Sequence, residues 1–104
     1  MIGIIKRIFR IGSEVDFKEL VNKGAQIIDV RTKEEYRNGH IKGSVNIPLR
    51  DLSHNISKIR KNTPIITCCA SGVRSASAKS ILKSHGFVEV HNGRGWTSLK
   101  RKIS

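Results

Sequence analysis

Near the middle of the chain Pro64 is followed by Ile65, Ile66, Thr67, Cys68 and Cys69. Ala70, Ser71, Gly72 and Val73 come next, and a helical pattern begins at about Arg74. A run of this length with no polar alternation, bounded by breakers, is the signature of a strand buried on both faces. Such a strand belongs in the middle of a sheet and needs cover above and below. The rest of the chain supplies it. AQIIDV, residues 25–30, holds a second buried strand whose end lies at Asp29, and SVNI and FVEV form two shorter ones. Between them lie helical patterns. Val15 to Lys23 stops at Gly24. Thr32 with Glu35 three residues on makes a capping box. Leu52, Ile56 and Ile59 share one helical face, and RSASAKSILKSHG turns Ala78, Ile81 and Leu82 inward. NGRGW reads as a loop before a short C-terminal helix. Strands alternating with helices imply an α/β fold: a central parallel sheet flanked by helices on both faces. Chemistry in such sheets gathers at the carboxyl ends of the strands, which puts Asp29 and Cys69 on one rim.

At 104 residues the chain supports one modest core. Residues 1–104 read as a single domain, with a core from about 13 to 100 and residues 1–12 as an N-terminal extension. In that extension Ile4, Ile5, Ile8 and Ile11 recur at helical spacing, but Lys6, Arg7 and Arg10 interrupt the apolar run. Neither a signal peptide nor a transmembrane segment fits. The segment is expected to pack on the domain; the alternative is weak contact with a membrane surface. Two cysteines make no disulfide framework, and neighbours on a strand point to opposite faces, so a reduced, cytoplasmic protein is expected. The net charge of +12 attracts anions. No zinc finger, basic zipper or aromatic-studded motif accompanies it, so no specific nucleic-acid partner is expected.

The segment after Cys69 carries the chemistry. A tight loop opening into a helix aims several backbone N–H groups at one point, and the helix dipole adds positive potential there. A thiol at that point is driven toward thiolate, its nucleophilic form. Ala70, Ser71 and Gly72 are small enough for the backbone to curl round a ligand, and Gly72 can supply a positive φ. Arg74 can brace the loop or offer a cation to an anionic substrate. Cys68, one step earlier, reads as packing on the other side of the sheet. Asp29 and Arg31 read as structural, tying the first strand end to nearby loops through partners such as Arg74 or Glu35. His40 reads as scaffolding, and His54, His85 and His91 as surface residues without metal-ligand spacing to either cysteine. No metal site is expected.

From about Val15 to Lys100 the sequence resembles the rhodanese-homology family of sulfurtransferase domains. IIDVRTKEEYRNGHIKGSVNIPL is similar to the family's first signature, CCASGVRSASAKSILKSHGF to its active-site loop and helix, and VHNGRGWTSLK to its closing segment. The family usually carries two adjacent glycines before the tryptophan. Here Arg94 and Gly95 precede Trp96, which brings Arg94 to the rim of the site. The resemblance implies a rhodanese-like fold and a Cys69 nucleophile. It also implies that the loop of Ala70, Ser71, Gly72, Val73 and Arg74 binds substrate, with Asp29, Arg31 and Ser75 in support. It implies that a sulfane sulfur moves from thiosulfate or a persulfide, small or protein-borne, through a Cys69 persulfide to a thiophilic acceptor such as a protein thiol. The resemblance implies no cofactor.

Three other readings compete. A sulfur carrier or docking module would hold sulfur without turnover. A cysteine-dependent phosphatase or arsenate reductase of similar architecture places five residues between cysteine and arginine; four lie between Cys69 and Arg74, a tighter ring suited to one sulfur atom. A nucleic-acid binder rests on charge alone.

Overall fold

A computed structural model describes residues 15–104, so the expectations for residues 1–12 lie outside the described residues. Helix α1 (Phe17–Asn22) leads to strand β1 (Gln26–Asp29), helix α2 (Lys33–Arg37) and strand β2 (Val45–Asn46). A 3₁₀ segment (Leu49–Lys58), strand β3 (Ile65–Cys69), helix α3 (Val73–Ser84), strand β4 (Val90–Gly95) and helix α4 (Trp96–Ile103) follow. The strands form one parallel sheet in the order β2-β1-β3-β4. This is the expected α/β architecture.

Each face of the sheet has its own core. On one face Ile28, Val30, Ile65 and Cys69 pack with Leu52 and Ile59 of the 3₁₀ region and with Ala78 and Leu82 of α3. On the other, Ile27, Ile66 and Cys68 pack with Phe17 of α1 and Leu99 of α4. The adjacent cysteines therefore belong to different cores, as side-chain alternation along a strand requires. The Thr32 capping box forms as expected: the Thr32 hydroxyl accepts from the Glu35 N–H, and the Glu35 carboxylate accepts from the Thr32 N–H.

Two elements differ from expectation. The segment carrying Leu52 and Ile56 is a 3₁₀ helix broken at Asn55. There the Asn55 side-chain amide donates to the Asp51 carbonyl at 2.7 Å, satisfying an acceptor that a regular helix would leave to the main chain. The last strand is not FVEV but Val90–Gly95, so most of the expected NGRGW loop is sheet. Gly93, expected within that loop, serves close packing instead: a Cβ there would lie 2.7 Å from Ile66 Cγ2 and 2.8 Å from the Thr67 carbonyl.

Candidate active site

Cys69 ends β3, and the chain turns at once toward α3. The turn closes through Gly72, whose φ of +116° no L side chain adopts without strain. The outcome is a cradle round the Cys69 sulfur. The Gly72 N–H donates to Sγ at 3.0 Å and the Ser75 N–H at 3.3 Å. The Ser75 hydroxyl lies 3.3 Å from Sγ and accepts from the thiol. Burial opposes ionisation of Cys69. The Ser75 hydroxyl and the N–H groups of Ser75, Gly72 and Ser71 outweigh that penalty and bring the thiol below its ordinary pKa.

Cys68 has the opposite environment. Burial, reinforced by the Asp29 carboxylate, pushes its thiol well above the ordinary value, and Arg31 offsets this only in part. Of two neighbouring thiols, only Cys69 is prepared to be an anion.

The loop residues divide by role. Ser71, Gly72 and Ser75 turn toward the sulfur. Ala70 is exposed, as is Val73, and Ala70 presents its carbonyl to Gly95, where a Cβ would come within 2.9 Å. Ser75, expected only to support the site, contributes both its N–H and its hydroxyl. Arg74 is a brace: its guanidinium grips the Glu35 carboxylate through two hydrogen bonds, at 2.8 and 3.0 Å. That pair, helped by the Thr32 N–H and hydroxyl, lowers the Glu35 carboxyl to a pKa of about 2.

Asp29 and Arg31 pair with each other rather than with Arg74. The guanidinium donates to both carboxylate oxygens, at 3.0 and 2.7 Å, and reaches on to the Gly39 carbonyl at 2.8 Å and the Glu35 carbonyl at 3.3 Å. It also stacks on the Trp96 ring at 4.6 Å. His40 stacks on Tyr36 and bonds to its carbonyl, a structural arrangement. His54 and His85 are exposed, whereas His91 is half-buried and pairs with Glu89 rather than lying free on the surface.

Sequence reasoning missed Asn92. Its Oδ1 accepts from the Ser75 hydroxyl at 2.6 Å and from the Arg94 N–H at 2.8 Å, while its Nδ2 donates to the Gly72 carbonyl at 3.2 Å. It thereby pins β4 to the cradle. No local pattern announces such a role; only the pairing of β4 with β3 brings it there. Beside the brace an open cavity of about 710 Å³ has an apolar wall of Val30, Pro48 and Leu49 and carries Lys33, Arg37 and Arg50.

The chain is similar to known proteins in sequence and in fold. Residues 13–100 match the model of the rhodanese-like domain. The thiosulfate sulfurtransferase PspE of Escherichia coli is 37% identical over 70 residues, covering 65% of this chain and 67% of that protein. The Bacillus subtilis protein YrkF, named for sulfur carriage, is 39% identical over 88 residues, covering 81% of this chain but 45% of that protein. The solved structure of an Escherichia coli rhodanese with anions superposes with a TM-score of 0.68 at 34% identity, over 72% of this chain and 91% of that one. Sequence match and fold agree: the chain belongs to the rhodanese-like domain family.

Proposed function

We propose that the protein is a sulfurtransferase that moves a sulfane sulfur from thiosulfate, or from a persulfide, to a thiophilic acceptor through a persulfide on Cys69. The observation that carries this reading is the convergence of the Gly72 N–H, the Ser75 N–H and the Ser75 hydroxyl on one sulfur atom. Those groups stabilise the attacking thiolate. Once sulfur is added, the same cradle faces the anion on the outer sulfur.

With thiosulfate, the Cys69 thiolate attacks the sulfane sulfur. A bond forms between Sγ and that atom, the sulfur–sulfur bond of thiosulfate breaks, and its electron pair leaves with sulfite. The enzyme retains the negative charge as a persulfide anion. An acceptor thiolate or cyanide then takes the outer sulfur and restores the Cys69 thiolate. Cys69 is only 1% exposed, which favours a donor that presents its sulfur end-on, as thiosulfate does. The resemblance to PspE supports thiosulfate as a donor.

A second reading, sulfur carriage without rapid turnover, is favoured by the likeness to YrkF. One experiment separates the two. Wild type, Cys69→Ser and Cys68→Ser are compared for thiocyanate formation from thiosulfate and cyanide, with mass spectrometry of the thiosulfate-treated proteins. The transferase reading expects a single-sulfur mass gain and turnover in wild type, both lost in Cys69→Ser and largely kept in Cys68→Ser. A mass gain with no turnover points to carriage. No gain on Cys69 refutes both.

A further inference from the structure

The pairing of β4 with β3 slips beside the cradle. Ile65 faces Val90 and Thr67 faces Asn92, an offset of 25 residues, whereas Cys69 faces Gly95, an offset of 26. One extra residue of β4 is therefore accommodated between Asn92 and Gly95, as in a β-bulge. Arg94 lies in that stretch with φ +67°, the only non-glycine residue at positive φ among those described. An arginine is a costly choice there, because glycine adopts that backbone freely. The conformation is held from below: the Arg94 N–H donates to Asn92 Oδ1, the same atom that takes the Ser75 hydroxyl.

The side chain starts at the mouth of the cradle. A Cβ added to Gly72 would meet Arg94 Cβ at 3.4 Å and Arg94 Cγ at 3.5 Å, and the Gly72 N–H is itself a ligand of the Cys69 sulfur. Arg94 is exposed, and among the described residues its guanidinium makes no ion pair. Arg74, the cation nearest in sequence to the cysteine, is engaged by Glu35. The first turn of α3 contains no acidic residue to oppose an incoming anion.

We propose that Arg94 is the donor-positioning residue of the site, a cation held over the Gly72 turn that draws the anionic end of the sulfur donor onto Cys69. This rests on the sulfurtransferase reading for the identity of the donor, but not for the attraction itself. Two probes keep them apart. The first is the rate of Cys69 alkylation by iodoacetate, an anion, relative to iodoacetamide, its neutral counterpart, at low ionic strength, with the label localised to position 69 by tandem mass spectrometry. The second is KM and kcat for thiosulfate.

In Arg94→Gly the iodoacetate-to-iodoacetamide ratio should fall roughly three- to tenfold, the size expected for losing one unit charge several ångströms from the sulfur near the surface. Added salt should erase most of the difference from wild type. KM for thiosulfate should rise with kcat little changed, and Arg94→Lys should restore both readouts substantially. The melting temperature of Arg94→Gly should be no lower than that of wild type, because glycine relieves the positive φ. An unchanged ratio in Arg94→Gly overturns the proposal. So does an equal loss of reactivity toward both reagents with a lowered melting temperature, since Arg94 would then be a structural residue. If wild type lacks thiosulfate turnover but the ratio still falls in Arg94→Gly, the sulfurtransferase reading fails and the anion-positioning role stands.

Discussion

Replacing Ser75 by alanine removes one hydroxyl from a fully buried position and tests how the cradle favours the anion. In the thiol state Cys69 donates to Ser75 Oγ at 3.3 Å, and the hydroxyl proton goes to Asn92 Oδ1 at 2.6 Å. On ionisation the sulfur becomes the acceptor, and the same hydroxyl can swing its proton to it. Asn92 is not orphaned, because its Oδ1 keeps the Arg94 N–H. The hydroxyl thus serves both states, and only the difference counts toward ionisation. Ionisation exchanges the hydroxyl's neutral bond to Asn92 and the thiol's weak donation for one bond to a charged sulfur. With roughly 1.5–3 kcal/mol for the charged bond, about 1 for the Asn92 bond and little for the thiol's, the difference is about 1 kcal/mol. Below the thiol's midpoint that corresponds to roughly a fivefold loss of thiolate. Ser75→Ala should therefore slow iodoacetamide alkylation of Cys69 about fivefold at low pH and shift the rate profile toward higher pH. At sufficiently alkaline pH the rates should converge. The two backbone donors remain, so some depression of the thiol pKa should persist. Identical profiles in two equally folded proteins would refute the assignment of Ser75 to the thiolate.

Other consequences follow from the packing round the cradle. Glu35→Gln keeps a side chain able to close the Thr32 capping box but removes the charge gripped by Arg74. Both side chains are about one-third exposed, so solvent screening limits the loss to about 1 kcal/mol, measured by urea denaturation near neutral pH. The Glu35 pKa is lowered from 4.5 to about 2, so the stabilisation is complete above the ordinary carboxylate value and lost as pH falls through that window. Wild type should lose its advantage over Glu35→Gln there, and a gap that stays constant to pH 2 would contradict the pairing. Gly95→Ala places a Cβ 2.9 Å from the Ala70 carbonyl, against backbone rather than a yielding side chain. It should cost roughly 1–3 kcal/mol by overpacking and slow Cys69 alkylation, because the displaced carbonyl belongs to the residue after the nucleophile. A normal melting temperature with normal alkylation would show that the loop has slack.

What could be read from the sequence was local. Five residues without polar alternation specify β3; Thr32 and Glu35 specify the start of α2; a glycine three places after a cysteine, opening a helix, marks a strained turn. The unforeseen features depend on partners far apart in the chain. Glu35 meets Arg74 across 39 residues, and Ser75 meets Asn92 across 17. The error at β4 has the same origin. Glycine carries two meanings, freedom of φ and absence of a side chain, and only the packed neighbour tells them apart. Gly93 and Gly95 are glycines because Ile66, the Thr67 carbonyl and the Ala70 carbonyl leave no room. Read as part of a loop, they hid the strand and its slip. That slip shapes the site: at the offset set by Ile65 and Thr67, residue 94 rather than Gly95 would face Cys69. A side chain would then approach where the Ala70 carbonyl needs space. The extra residue puts a glycine opposite the cysteine and turns the arginine out beside Gly72, so the same irregularity lets the loop close round the sulfur and leaves a cation at its mouth.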